Sequence, residues 1–421
     1  MTGSMILGLE KSVRGTLLGV CTLLAMAVGW PSSAGYAADA PIEDAGVLKK
    51  LHRRLSSLNI DLSDMRSSGE ITDQAKFKDF FNGALDVIRS PANDDFPKYR
   101  VQYFSKPLQQ SGNAPSKAFH DELNKFLLEN CPKLAEDPAL TPASQINAAI
   151  ILADLNSKEL AVGGRGTVVP LAAALPVLMD LYKTGKSEAV RAVALAGMVR
   201  HAEGGSMSKD MQSKVGDEML KTLATATPPK GRSADAQLWF RRRACEALGY
   251  IGDPGDGNDP SAVVKALTAT IAAGGESRLL PLRCDAANAL AKLKITPALN
   301  VNYAQLGGLL AQLAVDVARD ETVTTQAGLR SMIVPVDNAL HGTLATQRLA
   351  DAKRLAPGGL TTLAAGTPHE EYIKSLADQL QPMIDLTLAD DFSLEQARKD
   401  ADDLETWIGD NPVDGEAVAA N

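Results

Sequence analysis

The stretch Phe240–Gly255, FRRRACEALGYIGDPG, sets three arginines against a run of small residues that stops at a glycine. Four of its apolar residues fall at i, i+3, i+4 and i+7, the spacing of one helix face: Ala244, Ala247, Leu248 and Ile251. Small residues on such a face let neighbouring helices approach closely. We therefore expect this face to be buried and the helix to end at Gly252, two residues before Pro254.

The arginines of this stretch differ in their predicted surroundings. Arg241 borders the apolar face, where its alkyl stem can pack while its guanidinium reaches a carboxylate or a carbonyl. Arg242 lies on the opposite side of the helix and is expected to face water.

The same pattern of arginine, small residues and large apolar residues recurs along the chain. It matches Ser144–Asn156, Val190–Ala202 and Leu282–Lys294, and it begins again at Leu329–His341 before Pro335 interrupts it. When the copies are aligned, one residue of each falls at the same position, and we call these residues the arginine column. Successive members are 42 to 50 residues apart in the sequence: Gln145, Arg191, Arg241, Arg283 and Arg330. A second helical segment precedes each copy. Such a period is typical of two-helix repeats.

The repeat resembles the HEAT-repeat family, including its armadillo-like relatives, over roughly residues 116–344. The resemblance implies an all-α fold, an α-solenoid in which about five antiparallel helix pairs form a right-handed superhelix. It also implies that the second helix of each pair lines the concave side and that the arginine column bridges acidic groups in neighbouring turns. Gln145 and Pro335 depart from the pattern, which suits them to the ends of the array.

The segments on either side of the array are predicted to be helical caps. Residues 38–115 contain two amphipathic stretches, one of them rich in phenylalanine, and residues 345–421 form a helical region with an acidic tail. In the second segment, Ser393 and Gln396 have the spacing of a capping box. A narrow apolar stripe follows at Leu394, Ala397, Ala401, Leu404 and Ile408.

Composition favours an all-α protein that does not bind nucleic acid. The 421 residues are 45% hydrophobic and only 5% aromatic, which suits close helix packing. The net charge of −8 is concentrated after residue 384, where the sequence has eleven acidic residues and two basic ones, Arg398 and Lys399. Nothing in the chain has the basic excess of a nucleic-acid-binding protein.

The N-terminus predicts export. Lys11 and Arg14 precede the apolar run Thr16–Trp30, and small residues at Gly35 and Ala37 resemble a cleavage site for a signal peptide of residues 1–37. An uncleaved membrane anchor is the alternative. After removal of the signal no membrane span is expected, so the protein would be periplasmic, envelope-associated or secreted.

Three cysteines remain after removal of the signal, which itself contains Cys21: Cys131, Cys245 and Cys284. Their spacing does not form a disulfide framework. We expect buried thiols, with one bridge as the alternative. Cys245 and Cys284 occupy different places in the repeat, so no bridge between them is expected.

No motif indicates catalysis, a cofactor or a metal. Five histidines are scattered without ligand spacing: His52, His120, His201, His341 and His369. The glycine-rich segment Ala161–Pro170 lacks the lysine of a phosphate loop and is interpreted as a turn between repeats. The segment Asp253–Pro260 is interpreted as a turn, with weak Ca²⁺ binding as the alternative.

What remains is a mixed aromatic and basic strip on the second helices, at positions outside the apolar stripe. Its members are candidates for a partner-binding surface: Asp154, Arg200, Trp239, Arg242, Tyr250 and Lys292. Interfaces favour Trp, Tyr and Arg. The sequence therefore predicts an exported protein-binding or scaffolding module without catalysis of its own. An enzyme or accessory subunit with an unrecognised small-molecule site, similar to bilin lyases, and a self-associating envelope protein are the alternatives.

Overall fold

The computed structural model describes residues 43–161, 164, 166–274, 276–342, 359–387 and 389–413. The predicted signal segment, with Cys21, lies outside these residues, as does the end of the acidic tail. Within them the regular structure is helical apart from two short strands, which confirms the all-α prediction. The chain divides into two compact units, Met1–Met207 and Ser208–Asn421. This division falls inside the predicted array, between its second and third helix pairs.

Unit 1 begins with a group of shorter helices around an aromatic core: α1 (Ala45–Asp61), α2 (Ser63–Ser68), α3 (Gln74–Arg89), α4 (Phe96–Arg100), a π-helical turn (Val101–Ser105) and α5 (Lys106–Gly112). Phe77, Phe80 and Phe81 of α3 are fully buried, and the Phe81 ring contacts that of Phe77 in a tilted geometry and that of Phe80 edge to face. Tyr103 in the π-helical turn is also buried, and its hydroxyl lies 2.9 Å from Nδ1 of His52. The phenylalanine-rich stretch is therefore the core of this region.

Two antiparallel helix pairs complete unit 1: α6 (Ala118–Glu136) with α7 (Pro142–Ala153), and α8 (Ala174–Thr184) with α9 (Glu188–Glu203). The second helices α7 and α9 pack against each other. Between the pairs the chain forms a small antiparallel hairpin of β1 (Asn156–Lys158) and β2 (Val169–Pro170). The second strand occupies the last two residues of the glycine-rich segment Ala161–Pro170, which we interpret from the sequence as a turn.

Unit 2 contains three further pairs: α10 (Lys209–Ala224) with α11 (Ala234–Ile251), α12 (Ala262–Ala272) with α13 (Leu280–Leu290), and α14 (Tyr303–Arg319) with α15 (Gln326–His341). Short 3₁₀ turns at Ser277–Leu279 and Pro297–Leu299 lie before and after α13. The second helices pack in the order α11, α13, α15, and the first helices in the order α10, α12, α14. Each pair therefore contacts the next through both of its helices.

Local sequence explains where most second helices begin. A Ser or Thr stands at the N-cap of α7, α9, α11 and α15, and its hydroxyl accepts a hydrogen bond from a backbone N–H of the first turn: Thr141, Ser187, Ser233 and Thr325. Such a cap satisfies one of the four N–H groups that a helix leaves unpaired. Helix α13 lacks this cap and instead continues from a 3₁₀ turn.

The small residues of the opening stretch mark the closest helix contacts. In α11, Ala244, Ala247 and Leu248 are buried as predicted, whereas Ile251 in the last turn is only half-buried. A Cβ added at Gly249 would lie 2.8 Å from the Cα of Ala289 in α13. The second helices are therefore so close that a glycine is required between them.

The predicted fifth copy does not stop at Pro335. Helix α15 continues through this proline to His341, and Leu329, Ile333, Val336 and Leu340 are all buried on one face. A proline removes one backbone hydrogen bond and is costly inside a helix. Burial of an unbroken apolar face stabilises the helix in spite of that loss.

Three C-terminal helices close unit 2: α16 (Leu360–Leu363), α17 (Glu370–Leu386) and α18 (Leu394–Asp410). Helix α18 packs against α14 through Ala397, Ala401 and Leu404, which are buried members of the predicted stripe. Leu394 and Ile408 at the ends of the stripe are half-buried. The hydroxyl of Ser393 accepts a hydrogen bond from the Gln396 N–H at 3.2 Å. The acidic helix is thus joined to the last pair of the array.

Candidate interaction surface

The column residues of unit 1 form hydrogen bonds to backbone carbonyls at the end of the preceding helix. Gln145 Nε2 donates to the carbonyl of Asp137, the residue that caps α6, at 2.7 Å. Arg191 Nε donates to the carbonyl of Tyr182 in the last turn of α8 at 2.8 Å. A helix C-terminus carries unpaired carbonyls and a partial negative charge. These side chains supply hydrogen-bond donors to such carbonyls.

In unit 2 the same contact occurs twice more. Arg241 Nε donates to the carbonyl of Leu223 at 2.9 Å, and Arg283 Nε to that of Ile271 at 2.8 Å. Arg283 also pairs with Asp316 of α14 at 2.7 Å, so it bridges an acid of the neighbouring pair as the resemblance implies. Arg330 is exposed. The contact common to the first four members is therefore with a carbonyl of their own helix pair.

The unit 2 members of the candidate strip lie along α11 and just after α13. Arg242 Nε is 2.6 Å from Asp285 Oδ2 of α13, and its side chain is only 35% exposed. The prediction that Arg242 faces water therefore holds only in part, because the periodicity of one helix does not reveal an acid on the next second helix. Lys292 Nζ lies 3.9 Å from the centre of the Tyr250 ring, a cation–π contact between α11 and the turn after α13.

Trp239 occupies the first half of α11 and is half-buried. Its ring meets that of Phe240 edge to face at 5.4 Å, and the Arg243 guanidinium lies 5.9 Å from its centre. The side chain is thus partly accessible and held by its neighbours. Trp239, Arg242, Tyr250 and Lys292 lie within two neighbouring second helices and the turn after the second; we call them the α11–α13 strip.

Asp154 and Arg200, the candidates in unit 1, are placed around the end of α7. Asp154 is the C-cap residue of α7, and Arg200 in α9 donates to the carbonyl of Ala153 at 2.8 Å. Arg200 also donates to the side chain of Asn156. Burial lowers the pKa of Arg200, while Asp154, Glu159 and Glu203 act in the opposite direction. Arg200 therefore joins α9 to the end of α7.

A buried polar network in unit 1 was missed by sequence reasoning. Asn124 Nδ2 donates to the carbonyl of Asn156 at 2.9 Å, and Asn156 Nδ2 donates to Glu159 at 3.0 Å. His120, one helical turn before Asn124, lies 3.7 Å from Glu159. The only sequence signal was the polar pair His120 and Asn124 on one face of α6. The network fastens the hairpin to α6 and α9.

The remaining histidines and acidic residues are dispersed in the part of the chain that the structure describes. No three His, Cys, Asp or Glu side chains there are placed to hold a metal ion. His201 is fully buried with Nδ1 3.2 Å from the Ser206 hydroxyl, and burial lowers its pKa to about 4. In the loop Asp253–Pro260, Asp256 accepts the N–H groups of Asn258 and Asp259, as expected of a turn.

Cys131, Cys245 and Cys284 are buried and unbridged. Burial raises the pKa of each thiol, in the case of Cys284 to about 12. Such thiols are poor nucleophiles because they are not ionised at neutral pH. They act as small apolar side chains within the helix packing.

In comparisons with known proteins, no protein-family model matches the chain and no curated protein is detectably similar to it. In the described ranges, no helix combines the length and the hydropathy that crossing a membrane requires.

Proposed function

We propose that the protein is an exported, HEAT-like α-solenoid that binds a protein partner in the cell envelope or outside the cell. The proposal rests on the succession of antiparallel pairs within each unit and on the resemblance of their sequences to HEAT repeats. In unit 2 the second helices form a continuous layer, and side chains link each to the next. Arg242 pairs with Asp285 between α11 and α13, and Asn338 Nδ2 donates to Asn288 Oδ1 at 3.1 Å between α15 and α13.

The α11–α13 strip is the observation that carries the binding proposal. It combines two large aromatic side chains with two cations, and aromatic and arginine side chains dominate the energetics of protein interfaces. Trp239 and Tyr250 are half-buried and braced by their neighbours, so little side-chain entropy would be lost when a partner covers them. We propose the strip as the centre of the interface.

Export is proposed from the N-terminal sequence. Cleavage after Ala37 would leave a chain that begins at Ala38 and enters the first described helix at Ala45. N-terminal sequencing of the protein from the extracytoplasmic fraction tests this directly. A chain that retains Thr16–Trp30 would favour the anchored alternative.

Binding is tested by proximity labelling in the native host with the full chain exported by its own signal. The test variant carries Trp239→Ala and Tyr250→Ala. The control variant carries Lys214→Ala and Lys221→Ala, two exposed lysines of α10. We expect a neighbour that is enriched by the wild type and the control and lost by the test variant. Equal labelling by all three proteins would remove the support for this surface.

A further inference from the structure

A cavity of about 410 Å³ lies within unit 2, beside the first half of α10 and the loop that follows α11. Its volume is within the range of small-molecule sites in proteins. The wall on one side is α10, from Lys209 to Asp217, and the floor contains half-buried Ile251 beside Leu248 and Val263, which are almost fully buried. None of the members of the α11–α13 strip lines this cavity.

A glycine in the middle of α10 keeps the cavity open. Gly216 lines the cavity, and a Cβ added there would meet no atom within 4 Å. Glycine inside a helix costs about 1 kcal/mol relative to alanine. By contrast, Gly83, Gly197, Gly249 and Gly307 lie at helix contacts where a Cβ would meet a neighbour at 3.0 Å or less. Packing therefore accounts for those glycines, and open space on the cavity wall accounts for Gly216.

The loop that forms the other wall is held rigidly by its own hydrogen bonds. The carbonyl of Pro254 accepts hydrogen bonds from the N–H groups of Val263 and Val264, at 3.0 and 3.1 Å. The carbonyl of Gly252 accepts one from the N–H of Lys294 at 2.9 Å. A cavity whose wall is fixed in this way does not have to be ordered by its ligand, which favours binding.

The charged groups at the cavity have unequal surroundings. Asp253 and Asp256 accept backbone N–H groups of their own loop. Lys209, Lys294 and Asp217 line the cavity without an ion pair to any described residue. The lining therefore carries two ammonium groups and three carboxylates, so it offers partners of both signs to a ligand.

We propose that this cavity binds a small zwitterion of the dipeptide type. The ligand carboxylate lies between Lys209 and Lys294, its ammonium group faces Asp217, and an apolar side chain covers Ile251. This site is separate from the α11–α13 strip and does not depend on the proposed protein partner.

Isothermal titration calorimetry with the dipeptide Leu-Leu and the mature full-length chain tests the proposal. We expect saturable binding of Leu-Leu and at least tenfold weaker binding of N-acetyl-Leu-Leu amide, which keeps both leucine side chains but has no terminal charges. A Gly216→Leu variant should lose the binding, because its side chain fills the cavity. This variant should fold, since leucine is a far better helix former than glycine.

Gly409→Leu is the matched control, because Gly409 lies in α18 and a Cβ there also meets no atom within 4 Å. It should bind Leu-Leu like the wild type. The proposal is overturned if Leu-Leu does not bind, if the uncharged derivative binds equally well, or if a folded Gly216→Leu variant retains wild-type affinity. None of these results would bear on partner binding by the strip.

Discussion

Among the residues of the column, Arg283 is buried and has two hydrogen-bonded partners. It is 5% exposed, and it serves both the carbonyl of Ile271 and the carboxylate of Asp316. We expect Arg283→Met to lower the free energy of unfolding by roughly 2–4 kcal/mol, because a carbonyl and a carboxylate lose their partner together. Urea unfolding followed by circular dichroism measures the change.

Arg330→Met is the control for this substitution. Arg330 belongs to the same column but is exposed, so the change should remain within about 0.5 kcal/mol. Equal losses for the two variants would show that the contacts of Arg283 do not stabilise the fold.

His201 predicts a pH dependence of stability. Burial lowers its pKa to about 4, whereas the unfolded chain keeps a value near 6.5. The unfolded state therefore binds more protons between these values, and the free energy of unfolding falls as the pH falls from 6.5 towards 4. With about 1.4 kcal/mol for each tenfold difference in proton affinity, the loss is roughly 2–3 kcal/mol.

The test uses His201→Leu, since Leu293 fills the equivalent place in another repeat. Urea unfolding is measured at several pH values from 7 to 5, above the range in which most carboxylates titrate. The variant should lose much of the pH dependence that the wild type shows. Parallel curves for the two proteins would contradict a neutral buried imidazole.

At the scale of single residues, the sequence predicted burial better than it predicted polar contacts. The periodicity identified Ala244, Ala247 and Leu248 as core because burial follows from one helix alone. The partner of Arg242 could not be predicted, since Asp285 lies 43 residues away on another helix. The network of Asn124, Asn156 and Glu159 was missed for the same reason.

At the scale of helices, we expect the same substitution, glycine to alanine, to change the stability of the protein in opposite directions at two positions. Gly249→Ala should destabilise the protein by about 1–3 kcal/mol, because its Cβ would press on the backbone of Ala289 in α13. Gly216→Ala should stabilise it by about 1 kcal/mol, since nothing lies near its Cβ and alanine favours the helix. Thermal unfolding of both variants tests the pair. A shift in the same direction would contradict the close contact of α11 with α13.

The helix pairs themselves could be predicted because each carries its own periodicity and most second helices carry their own cap. The hairpin between α7 and α8 could not. Its segment Ala161–Pro170 is rich in glycine and lacks the alternation of apolar and polar residues that marks a strand. The hairpin is instead held by tertiary contacts, such as the hydrogen bond of the Leu171 N–H to the carbonyl of Leu155.

At the scale of the whole molecule, the division after Met207 makes a prediction about folding. Unit 2 contains three helix pairs and the C-terminal helices, and Arg319 of α14 pairs with Asp402 at 2.6 Å and Glu405 at 2.7 Å in α18. A fragment of residues 208–421 should therefore be helical and unfold cooperatively in urea by itself. A fragment without a cooperative transition would show that this unit needs the rest of the chain.

The central claim is that the α11–α13 strip contacts a protein partner, and site-specific photo-crosslinking tests it most directly. A photoreactive phenylalanine analogue replaces Trp239 or Tyr250 in the exported chain, and the exposed Lys214 of α10 is the control position. We predict that positions 239 and 250 crosslink to the same protein in the native host and that position 214 does not. No crosslink from the strip, or the same products from all three positions, would contradict the claim.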